Sequence, residues 1–128
     1  MKKGFTLVEL MAVLVLIVII STIGYAGITA VKNNIEKNLW EAKVEEIETG
    51  AIKYGQDNLN KLNGTCNDIS NCLEVTVDFL INSNYVDTDE ETDEGIEIIT
   101  NNTNGDIVNN KKVYIYLENN RVYAEYQE

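Results

Sequence analysis

From Leu10 to Val31 the chain runs for 22 residues without a charged side chain. A helix over that stretch rises roughly 33 Å, enough to cross a hydrocarbon core about 30 Å thick. Past it the pattern turns amphipathic. Ile28, Val31, Ile35 and Leu39 step by three and four, and Trp40, Val44, Ile47, Ala51 and Tyr54 continue the stripe, which is the helical period. Glu36, Lys37, Glu41, Lys43, Glu45, Glu46 and Glu48 fill the other faces. With no proline anywhere to interrupt it, the pattern predicts one helix from about Phe5 to Tyr54, roughly 75 Å long, with Trp40, Ile47 and Tyr54 as core.

The remaining pattern is shorter and mixed. An Asn- and Gly-rich stretch ends the helix between Gly55 and Gly64. Thr76 caps a short helix over Val77 to Ser83, with Phe79 and Leu80 facing inward. Lys112–Glu118 alternates Val113, Ile115 and Leu117 against Tyr114 and Tyr116. Asn119-Asn120 makes a tight turn into Arg121–Tyr126, where Val122, Ala124 and Tyr126 alternate with Tyr123 and Glu125. Ile96 to Thr100 is a further strand candidate, and Asn101 to Asn110 a polar connector. Strands with one apolar face need a cover, and the long helix supplies its stripe. The fold class is therefore α+β: one long N-terminal α-helix packed on a small antiparallel β-sheet. Tyr114, Tyr116 and Tyr123 serve either strand packing or an adhesive patch.

Composition narrows the chemistry. The 128 residues are a one-domain length, and ten Lys and Arg against 21 Asp and Glu give a net charge of -11, with every acid but Glu9 lying after the apolar run. The acidic bulk surface repels a phosphate backbone, so nucleic acid is not expected as a partner of it. The absence of histidine removes imidazole acid/base, triad and His-zinc chemistry. Cys66 and Cys72 are an even pair in a segment that lies beyond the membrane run, which reads as a disulfide, with two free thiols as the alternative. Their spacing is not the redox C-x-x-C. The acids from Asp87 to Glu97 form the densest charge run; Asp87, Asp89 and Asp93 beside Gly95 hint at a calcium loop, but their order misses the EF-hand pattern. No cofactor is otherwise expected, and no nucleophile with a base marks an enzyme.

The first ten residues carry the sharpest signal. Lys2 and Lys3 precede the apolar run, and the polar bulk follows it, which favours the N-terminus inside. A secretory signal peptide has a shorter apolar core of about 7–15 residues and a small-residue cleavage site. A plain signal anchor leaves Glu9 unexplained, since an acid within a membrane helix costs about 2.5–3.5 kcal/mol and needs a partner. Lys2-Lys3-Gly4-Phe5-Thr6-Leu7-Val8-Glu9-Leu10 resembles the class III leader and helix start of type IV pilins and pseudopilins: a basic leader ending in Gly, an aromatic residue, then Glu at the fifth position heading a long apolar helix.

That resemblance implies a pilin fold with a leader at 1–4, a transmembrane or filament-core helix half at 5–31, and an exported head at 32–128 that includes the amphipathic helix half. It implies that a prepilin peptidase cuts between Gly4 and Phe5 and N-methylates Phe5. The Phe5 amine of one subunit then neutralises Glu9 of a neighbour, acting as a register device. The partners implied are other pilins in a homo- or hetero-polymer, prepilin peptidase, a pilus assembly platform protein and the membrane; the location implied is the cytoplasmic membrane and an extracellular pilus. Many pilins carry a proline where this chain has Ala26; Gly24 and Gly27 nearby serve either helix loosening or close helix contact. Some related pseudopilins bind calcium in the head. The competing class is a signal-anchored surface adhesin or binding module that never enters a filament.

Overall fold

The structure, a computed structural model, describes residues 3–62, 72–88 and 90–128. Helix α1 covers Leu7–Asp57 and is followed by a 3-10 turn at Leu59–Lys61. Strand β1 (Leu73–Thr76), helix α2 (Val77–Asn82), β2 (Glu90–Glu91), β3 (Glu97–Ile98), β4 (Lys112–Glu118) and β5 (Arg121–Tyr126) complete the order. Strands β1, β4 and β5 form an antiparallel sheet in that order, and β2 pairs with β3 in a separate hairpin. The α+β pilin architecture, a long N-terminal helix and a small antiparallel sheet, is the one expected.

The chain divides into two compact units, Met1–Glu36 and Lys37–Glu128. In the first, residues 3–35 are all exposed. Its helix is unbroken through Gly24 and Gly27. Ser21, Thr22 and Thr29 donate their hydroxyls to the carbonyls of Ile17, Ile19 and Tyr25 at 2.6–2.8 Å, so their polarity is spent inside the helix. Among the described residues this is the one helix long and apolar enough to cross a membrane, with a mean hydropathy of 2.7 over its most apolar window.

In the second unit the predicted stripe becomes the core. Trp40, Ile47, Ala51 and Tyr54 are buried with Val113, Ile115, Val122 and Tyr126 of the sheet. The stripe is buried only from Trp40 onward; Leu39 is exposed. The alternation in β4 and β5 holds: Val113 and Ile115 are sealed, and Tyr114, Tyr116 and Tyr123 occupy the opposite face. Asn119 and Asn120 both take positive φ, 50° and 62°, which is the two-residue turn that matches strand twist.

Packing and pairing refine these expectations. Helix α1 ends at Asp57, inside the expected window, and carries Gly55 in its last turn, where a side chain would lie 2.7 Å from Val122 Cγ1 and 2.8 Å from Ile115 Cγ2. The glycine marks close packing there. Phe79 is not inward: Val77, Leu80 and Ile81 fill the core, and Phe79 sits half-exposed edge-on to Tyr54 at 5.1 Å. Thr76 does cap α2, accepting the Phe79 N–H at 3.2 Å. The acidic run is a hairpin, turned by Thr92 to Gly95, with Gly95 N–H on the Thr92 carbonyl at 2.8 Å and Gly95 at φ 79°. The strand expected over Ile96 to Thr100 is its short second arm. Strand β1, four residues long, was too short to show a period.

Asn109 ties this unit together. Its Oδ1 accepts the Ile99 N–H at 3.0 Å, and its Nδ2 donates to the Glu97 carbonyl at 2.9 Å and Asp78 Oδ1 at 3.3 Å. Its carbonyl accepts the Asp78 N–H at 2.8 Å. The side chain thus stands in for a missing strand between β3 and the start of α2. Asn109→Ala leaves part-buried backbone groups unpaired and is expected to cost roughly 2 kcal/mol, seen as a fall of about 10 °C in melting temperature. A fall under about 2 °C by calorimetry would show the clamp to be redundant.

Candidate functional site

Residues 3–6 precede the helix as non-helical chain. Gly4 is surrounded by open space, and Phe5 is 84% exposed. Thr6 is where the helix starts: its carbonyl accepts the first helical bond, from Leu10 N–H at 3.1 Å. The Thr6 hydroxyl accepts the Glu9 N–H at 3.3 Å, and Glu9 Oε2 accepts the Thr6 N–H at 2.9 Å. Two of the four orphan donors of the first turn are satisfied by this reciprocal pair, a capping box. Glu9 also places its charge against the positive end of the helix.

Two consequences follow for chemistry. The Gly4–Phe5 bond lies ahead of the cap, so cutting it would remove no helical residue. Glu9 is not uncompensated in a single chain, as the bare sequence suggested; it already holds one hydrogen bond. Thr6 was overlooked, although the Thr-x-x-Glu spacing ahead of an apolar run is the signal that finds it. Glu9 remains the single charged side chain between Gly4 and Lys32.

Residues 1–25 match the family model of the prokaryotic N-terminal methylation motif. The chain carries the class III signal peptide of type IV pilins and pseudopilins. This motif is structural and not enzymatic. Among curated proteins and among solved structures nothing matches the chain. The match covers the leader and the apolar helix as far as Tyr25, and the 37–128 unit stands on its own geometry.

The other candidate residues lie in that unit or outside the described residues. Cys66 is outside them, so the expected Cys66–Cys72 pairing is not described; Cys72 itself is not a free thiol. Asp89 is likewise outside. Asp87 and Asp93 are exposed, and the Asp87 carbonyl already accepts the Lys43 ammonium at 3.0 Å. Among the described residues no three His, Cys, Asp or Glu gather as a metal site. Tyr116 and Tyr123 stack cross-strand with centroids 5.5 Å apart. Burial, then the Glu125 and Glu118 carboxylates, raises the Tyr116 phenol above its ordinary value, so it stays neutral through physiological pH.

Proposed function

We propose that this chain is a structural subunit of a type IV pilus or pseudopilus, stored in the cytoplasmic membrane and built into a filament by packing of its N-terminal helix. The observation that carries the reading is Glu9 in the first turn of an exposed apolar helix, directly behind a Gly4–Phe5 bond held outside the helix. The exposed face from Leu7 to Val31 has two environments that suit it, lipid and the helices of other copies. A groove beside Gly24, Gly27 and Ile28 lets another backbone approach closely.

Prepilin peptidase would cut after Gly4 and methylate Phe5. Losing Met1 to Gly4 removes Lys2 and Lys3, leaving eight bases against 21 acids and a formal charge of -13. It also creates a cationic amine one residue ahead of the cap, where it adds to the positive helix end. A neighbour's Glu9 offsets that charge, and in a low-dielectric surrounding the pair is stabilising only when both groups meet at one height. Assembly register follows from that requirement. In the same reading residues 32–128 are the exported head, and Cys66–Cys72 closes a short loop in an oxidising space.

Mass spectrometry of the chain from cells with and without prepilin peptidase tests the processing step. The expected result is an N-terminus at Phe5 bearing one methyl group, lost when the peptidase is absent. An intact Met1–Gly4 segment in both would leave a signal-anchored binding module as the better reading.

A further inference from the structure

A cleft of about 470 Å³ opens on the 37–128 unit, between the α1 segment at Lys37, Trp40 and Glu41, the loop at Asn101–Asp106 and the end of β5. That is within the roughly 300–1,000 Å³ of small-ligand pockets. Trp40 and Tyr126 line it, 6% and 9% exposed, packed edge to face with centroids 5.9 Å apart. Among the described residues no acceptor reaches the Trp40 indole N–H and no partner reaches the Tyr126 hydroxyl. No buried side-chain N or O among them is sealed from solvent without a partner. Both polar tips therefore reach accessible surface while their rings are largely buried, and both residues line the cleft.

The opposite wall is held in place. Asn101 N–H bonds the Asp106 carbonyl at 2.8 Å, Gly105 N–H bonds the Asn101 carbonyl at 2.7 Å, and Thr103 donates its N–H and hydroxyl to Asn101 Oδ1 at 2.9 and 2.6 Å. Asn104 and Asp106 bond each other twice, at 2.9 and 3.0 Å. These bonds use up Asn101 Oδ1 and leave its Nδ2 free to donate. Asp106 keeps acceptor capacity, and Lys111 has no carboxylate partner among the described residues. The free set thus mixes donors at Trp40, Tyr126, Asn101 and Lys111 with acceptors at Asp106 and Glu128.

This mixture selects the ligand. An anion would meet Glu41, Asp106 and Glu128, and a cation would meet Lys37 and Lys111. Hydroxyl groups on a ring both donate and accept, so a polyol satisfies every free group at once. We propose that this cleft binds a saccharide of one or two rings. The site lies wholly in residues 37–128 and does not depend on cleavage or filament assembly. Burial, with the Glu128 carboxylate second, raises the Tyr126 phenol, so its hydroxyl is a donor at neutral pH.

Trp40 is the one tryptophan in the chain, which makes its emission a reporter for the cleft. Full-length chain in lipid nanodiscs, free of glycoside detergent, would be titrated with glucose, galactose, N-acetylglucosamine, lactose and chitobiose. At least one is expected to give a saturable change, and Tyr126→Phe and Lys111→Met are each expected to weaken it about fivefold. Tyr116→Phe, on the other sheet face, leaves it unchanged. Circular dichroism checks that each variant is folded, and loss in either folded variant suffices. No saturable change with any sugar up to about 100 mM, or a change that neither cleft substitution alters, overturns the assignment.

Discussion

Glu9→Gln is expected to leave the chain membrane-inserted, capped at its helix start and cleaved, yet to reduce its presence in sheared surface filaments at least tenfold. Glutamine keeps the capping box, because its carbonyl oxygen still accepts the Thr6 N–H now bonded at 2.9 Å. What it removes is the charge. Thr6→Ala does the reverse: it deletes the hydroxyl that accepts the Glu9 N–H, costs the helix start about 1 kcal/mol, and keeps the carboxylate. If assembly uses the charge, Glu9→Gln fails and Thr6→Ala largely succeeds. If it uses only a well-formed helix start, the order reverses. A tenfold loss corresponds to about 1.4 kcal/mol per subunit, modest beside the penalty of leaving an amine unpaired in low dielectric. Immunoblots of sheared filaments and of membranes, run side by side, give both quantities. Wild-type filament yield from Glu9→Gln would remove the register pairing from the account.

The second large effect is predicted at Gly50, a buried residue two turns from the C-terminal end of α1. A methyl group built there collides with the Tyr85 carbonyl oxygen and lies 2.6 Å from Val86 Cγ2. Alanine is the better helix former by about 1 kcal/mol, so propensity alone favours Gly50→Ala. Overpacking opposes it by roughly 1–3 kcal/mol, occasionally more. The colliding atom belongs to backbone, which follows α2 directly and is fixed by Tyr85 and Val86 N–H bonds to the Leu80 carbonyl. The collision therefore wins, and the unit is expected to lose about 2 kcal/mol, or about 10 °C in melting temperature. Gly24→Ala in the unassembled chain is the contrast. Nothing in the single chain lies within 4 Å of a side chain there, so propensity acts alone and the helix gains. A Gly50→Ala melting temperature at or above wild type would mean that the Tyr85–Val86 segment yields without cost.

How much was legible depended on whether a feature is local in the chain. The β4–β5 hairpin was readable because period-two alternation and a left-handed Asn pair sit in contiguous residues. The Thr76 cap was readable for the same reason. The acidic hairpin was not, since charge density is a solvation signal that hides the two-residue pairing of Glu90 and Glu91 with Ile98 and Glu97. Gly55 was legible as the near bound of the helix end, but glycine marks both helix ends and close approach, and only the positions of Ile115 and Val122 show the second role.

The N-terminal motif was determined by sequence alone: a basic leader ending in glycine, an acid at a fixed position and a charge-free run long enough to span a bilayer are all properties of adjacent residues. The long helix and the apolar face of the final hairpin followed from periodicity. Tertiary structure decided the rest. It made Asn109 a clamp across three segments and Gly50 a point of contact with Tyr85. It also set Trp40, Tyr126 and Lys111, up to 86 positions apart, around one cleft. Long-range placement of this kind comes from packing the helix stripe on the sheet, and a linear pattern carries no record of it.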